Sequence, residues 1–72
     1  MQTLHEAMIF ICTNNLETVD NSDPAFQGLQ GQGFFGYDDQ GQMVIVDVMY
    51  GRAVIQVLDS NTGEMLANWE VR

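Results

Sequence analysis

Two runs of β-branched and apolar residues, 43–50 and 53–58, lie on either side of Gly51-Arg52, and that spacing leaves the chain few folds to choose from. Each run has strand length and suits a pleated, half-buried surface, and a two-residue break is of hairpin length. Two antiparallel strands follow. Downstream, Asp59-Ser60-Asn61-Thr62-Gly63-Glu64 gathers turn formers, and residues 65–71 then alternate Met65, Ala67, Trp69 and Val71 against Leu66, Asn68 and Glu70, which predicts a second hairpin. Upstream, Gly33-Phe34-Phe35-Gly36-Tyr37 passes through Asp38-Asp39-Gln40-Gly41-Gln42 into the first run, and such an Asp/Gly-rich connection again suits a hairpin. Residues 33–72 therefore predict a four-stranded antiparallel meander, with Val44, Val46 and Val48 on the face that also takes Met65, Ala67, Trp69 and Val71.

The N-terminal third admits two readings. Leu4, Ala7, Met8 and Ile11 fall at i, i+3, i+4 and i+7, and Thr3-x-x-Glu6 has capping-box spacing, which together suit a helix. Against that, Ile9-Phe10-Ile11-Cys12-Thr13 is strand-like and residues 7–12 are apolar on every side, so the balance leans to a strand. Residues 14–32 are polar and punctuated by Asn, Asp and Gly, with one helical turn expected at Asp23-Pro24-Ala25-Phe26, where Pro follows an N-cap residue. The fold expected is mainly β: one small domain over 1–72, a meander, and an N-terminal strand or helix, the helical case being an α+β domain with the helix on the sheet.

A chain of 72 residues can barely bury one core. Its single Cys forms no internal disulfide, and no His/Cys cluster exists to hold a structural metal, so noncovalent packing must supply the stability and self-association would help. Cys12 sits in the apolar run and is expected to be a core thiol. One unpaired Cys suits a reducing cytoplasm. The apolar stretch 7–12 is too short to span a bilayer, and no Lys or Arg precedes it as in a signal peptide.

Charge narrows the partners. Ten Asp and Glu face two Arg and no Lys, for a formal net charge of −8, so the acidity comes from missing bases. Arg52 and Arg72 cannot neutralise phosphates against ten carboxylates, which argues against direct nucleic-acid binding and against anionic membranes. A partner with a basic surface is favoured, or none that is charged.

The apparent chemical motifs lack their contexts. Gly31-Gln32-Gly33-Phe34-Phe35-Gly36 matches a dinucleotide fingerprint, but that motif needs a strand before it and a helix after, and here a polar loop precedes and a strand follows. Asp59-x-Asn61 with Glu70 imitates a calcium loop, yet Glu64 stands where its invariant Gly belongs. Residues 57–66 resemble hairpins common in β-propeller blades. His5 and Cys12 are seven residues apart, and the paired Asp38-Asp39 lies on a turn, so no catalytic residues, metal ligands or cofactor are expected and the chain does not read as an enzyme.

The most informative residue is Asp47. One face of the run 43–50 is Val44, Val46, Val48 and Tyr50, and the other is Met43, Ile45, Asp47 and Met49, apolar but for one carboxylate. Something must cover that second face, either residues 4–12 or another chain. Two function classes follow. In the first, the chain is an acidic module that binds and blocks a basic, nucleic-acid-binding surface of a partner protein. The candidate contacts are Asp38 and Asp39 at a hairpin tip, Asp20 and Asp23 on the long loop, and Met43, Ile45, Asp47 and Met49 as an adaptable patch. In size, charge and lack of motifs the chain resembles the small acidic inhibitors encoded by phages and mobile elements, including anti-CRISPR proteins and DNA mimics; no motif is shared, so the resemblance assigns no residues. In the second class the chain is a small β subunit or homodimer that uses the apolar second face for assembly.

Overall fold

A five-stranded antiparallel sheet in chain order, β1-β2-β3-β4-β5, forms the body of the computed structural model, which describes residues 3–20, 22–26 and 28–72. The elements are α1 (Leu4–Thr13), β1 (Glu17–Thr18), a 3-10 turn (Pro24–Phe26), β2 (Gln32–Tyr37), β3 (Met43–Met49), β4 (Arg52–Leu58) and β5 (Met65–Val71). The meander is as expected, and β1 adds a two-residue fifth strand, with Glu17 opposite Phe35 and Thr18 opposite Phe34. The turn at Pro24 also forms, its Phe26 N–H donating to the Asp23 carbonyl at 2.9 Å.

The N-terminal segment is a helix, against the lean toward a strand. Thr3 caps it, its Oγ1 accepting from the Glu6 N–H at 3.2 Å. The helix ends in a Schellman motif: Asn15, at φ 55°, donates to the Cys12 carbonyl and Leu16 to the Ile11 carbonyl. Burial selects the helix. Ala7 and Ile11, four apart and therefore on one helical face, are buried against Val44, Val46, Ala53, Ile55, Val57 and Val71 of the sheet, with Leu4 and Phe10 at the margin. A strand here would have turned alternate residues away from that core. Because an apolar run on a helix cannot all face inward, Met8, Ile9 and Cys12 are left exposed. Cys12 is therefore a surface thiol and not the core thiol expected from its neighbours.

Register places Val44, Val57 and Ala67 in one cross-strand row and Val46, Ile55 and Trp69 in the next, as expected of the inner face. Met65 departs from it. A bulge at Val57/Leu58 sets Met65 opposite Leu58, which moves it off the core row. The helix covers this inner face, so it does not cover Met43, Ile45 and Met49, as one expectation had it. Their face is roofed in part by the loop before β2: Phe26 packs on Phe35 with ring centroids 5.7 Å apart, and Phe35 on Tyr37 at 5.6 Å.

Candidate functional site

Asp47 holds that roof in place. On β3 the residue is only 7% exposed, and its two carboxylate oxygens accept from the main-chain N–H of Gln30 (2.9 Å) and Gly31 (2.8 Å). A buried carboxylate with both oxygens bonded to amides is a structural clasp. It is not a charge offered to a partner, which is the role its sequence position suggested. Between the clasped loop and the sheet lies a hollow of about 220 Å³ whose floor is Ile45, Met49, Val54 and Gln56. That is below the usual size of a small-molecule site.

The remaining sequence candidates do not form one surface. β2 and β3 join through residues 38–42, and β4 and β5 through 59–64, so in an antiparallel meander both connections leave the sheet at the same end. Asp38, Asp39, Asp59 and Glu64 gather there, with Glu17 of β1 close behind. Asp20 and Asp23 lie on the connection from β1 to β2, which emerges at the opposite end. Both arginines are also at that opposite end, Arg52 beginning β4 and Arg72 following β5. Seven-residue strands separate the two ends by about 20 Å.

Within the acidic end the carboxylates differ in freedom. Asp38 Oδ1 accepts from the N–H groups of Gln40 and Gln42, both at 2.9 Å, so Asp38 builds its hairpin turn and cannot be exchanged without disturbing it. Asp59 does the same for the β4–β5 hairpin, accepting from the N–H groups of Asn61 and Thr62, which is the structural content of the calcium-loop likeness. Asp39 and Glu64 are exposed. At the far end, Asp20 accepts from the Ser22 N–H and hydroxyl, and those bonds hold its pKa below the ordinary carboxylate value.

Glu70 takes up both cations: Arg72 Nε donates to it at 2.9 Å and Arg52 Nη1 at 3.3 Å. The Arg72 hydrogen bond, helped by the charge of both guanidiniums, lowers the Glu70 pKa from its ordinary 4.5. A carboxylate with a depressed folded pKa stabilises the fold above its unfolded value and ceases to do so as pH falls through the folded one. The melting temperature of Glu70→Gln should accordingly fall slightly below the parent's at pH 7, with the gap closing below about pH 4. A gap unchanged down to pH 2.5 would show that the ion pairs are not its cause. The effect is small because the site is open to solvent.

Among the described residues no three His, Cys, Asp or Glu stand where they could hold a metal ion, and no helix is long and apolar enough to cross a membrane. His5 and Cys12 are seven residues apart on α1, about 10 Å along the axis and beyond hydrogen-bond reach. The glycines of the fingerprint-like stretch serve β2. A Cβ on Gly36 would come within 2.6 Å of the Leu16 side chain, and Gly31 lies against the main chain of β3. The chain matches no protein-family model, no curated protein and no solved structure.

Proposed function

We propose that this chain is an acidic protein-interaction module that docks on a basic, nucleic-acid-binding surface of a partner protein and blocks it, acting in the cytoplasm in the manner of small phage-encoded inhibitors such as anti-CRISPR proteins. The observation that supports this reading is the segregation of charge along the strands. Asp38, Asp39, Asp59 and Glu64 share one end, while both arginines are held by Glu70 at the other. A basic surface approaching the acidic end meets no arginine to repel it, both being at the other end. Carboxylates grouped within a few Debye lengths, each about 8 Å at physiological salt, steer such an encounter together. Of the contacts first expected, Asp39 suits this role best; Asp20 and Asp23 belong to the other end, and Met43, Ile45 and Met49 to the face under the loop.

The test uses Asp39→Lys combined with Glu17→Lys, two exposed positions at the acidic end. Binding of the parent to a basic partner captured on the immobilised chain should weaken steeply with added salt. The double variant should lose about tenfold at low salt, mainly through a slower on-rate. A variant that binds as tightly as the parent at low and at high salt would remove the acidic-docking reading, and the assembly role would stand in its place.

A further inference from the structure

We infer that the element received by the acidic end is a basic amphipathic helix, seated on an apolar row that crosses the outer face of the sheet; this rests on the docking reading above and names its contact. Register assembles the row from four strands: Tyr37 stands opposite Met43, Met43 opposite Leu58, and Leu58 opposite Met65. Alternation along β3 and β4 puts this row on the face away from Val44, Val57 and α1. Tyr37 and Met65 are 55% and 48% exposed, and Met43 and Leu58 are half-buried. Strict alternation from Ala67 would have turned Met65 inward. The bulge at Val57/Leu58 sets it opposite Leu58 on the outer face instead, and bulges re-aim side chains in this way beside functional surfaces. The hollow beneath the clasped loop stops one row short: Ile45 and Gln56 line it, and none of these four residues does.

Charge selects the occupant. Asp38 follows Tyr37 in the chain, Asp59 follows Leu58 and Glu64 precedes Met65, so the carboxylates of both turns begin within a Debye length, about 8 Å, of the row. Glu17, opposite Phe35, adds another one row further in. A second copy would press two such rims together at −8 on each chain, which rules it out as the occupant. A surface that is only cationic would leave the row in water, and one that is only apolar would leave the rim without a counter-charge. The partner that answers both presents an apolar stripe flanked by Lys or Arg, and a helix has that form. The row spans three gaps between strands, about 14 Å, which two to three helical turns cover at about 1.5 Å per residue. α1, of ten residues, lies on the other face of this sheet in the same manner. The stripe of the docked helix then falls at i, i+3 or i+4, and i+7, and the two methionines of the row adapt to its side chains.

The probe is a synthetic helical peptide of Leu and Lys with all its Leu on one face, compared with a scrambled peptide of the same composition. Titrated into the intact chain, the segregated peptide should bind about tenfold more tightly than the scrambled one. Its amide shifts should centre on Tyr37, Met43, Leu58 and Met65. Tyr37→Ser combined with Met65→Ser should abolish that preference and leave the weaker, salt-sensitive binding of the scrambled peptide as it was. Both side chains are exposed, so the fold should tolerate the change, and the shift map of the parent decides the matter if it does not. Equal affinity for the two peptides overturns the helix site, as do shifts centred on the exposed Met8 and Ile9 of α1, while salt-sensitive binding of both peptides keeps the docking reading in place. If neither peptide binds even at low salt, the site and the docking reading fall together.

Discussion

Gly31→Ala is expected to destabilise the fold by about 3 kcal/mol, the upper end of what overpacking costs, and to lower the melting temperature by about 12–24 °C. The cause is a backbone contact. A Cβ on Gly31 would lie 2.1 Å from the Val48 carbonyl oxygen and 2.8 Å from its carbonyl carbon, atoms of a central strand that cannot rotate away as a side chain could. Relief requires either β3 or the start of β2 to move, and both are paired over Gln32–Val48 and Gly33–Asp47. A chain of this size has a total stability of only about 4–10 kcal/mol, so the variant should be partly unfolded at ambient temperature. Chemical denaturation checks it; a midpoint within experimental error of the parent's would mean that the approach of loop to strand is looser than described.

Asp47→Ala should cost about 3 kcal/mol as well, through loss of two charge-assisted bonds that leaves the Gln30 and Gly31 amides without their acceptor. Asp47→Asn keeps the volume but offers one acceptor and turns an NH2 toward an N–H, so it should retain most of that cost. Amide exchange supplies the specific readout: protection at Gln30 and Gly31 should fall in both variants well before that of β4. Equal protection in parent and variant would show that Asp47 is not the clasp. Because Gly31 joins the two contacts, Gly31→Ala combined with Asp47→Ala should cost less than the sum.

The hairpins over residues 33–72 were legible because their information is local. Strand runs alternate with period two, and the Asp and Gly residues that make the turns sit within them, as the bonds of Asp38 and Asp59 to their own loops show. The alternation even marked the correct inner face. It failed at Met65, where a bulge, which leaves no period in the sequence, shifts the register by one. The two-residue β1 was not legible either, since Glu17 and Thr18 carry no strand pattern and are held only by pairing with Phe35 and Phe34.

The N-terminal segment and the candidate site belong to the other category. A run apolar on every side contains both periods, and what chose the helix was the sheet's need for a cover over Val44, Val46 and Ile55, met by Ala7 and Ile11 on one helical face. That choice exposed Cys12, which no local pattern could announce. Asp47 stood out in the sequence as a carboxylate on an apolar face, but its role depended on two amides sixteen and seventeen residues away. The grouping of Asp38 and Asp39 with Asp59 and Glu64, and the collection of both arginines on Glu70, likewise follow from chain reversal. Charge counts are a property of composition, whereas the end of the sheet that each charge occupies is set by long-range pairing; the sequence alone determined the four strands of the meander and the acidity of the chain, and only the tertiary structure decided where that acidity points.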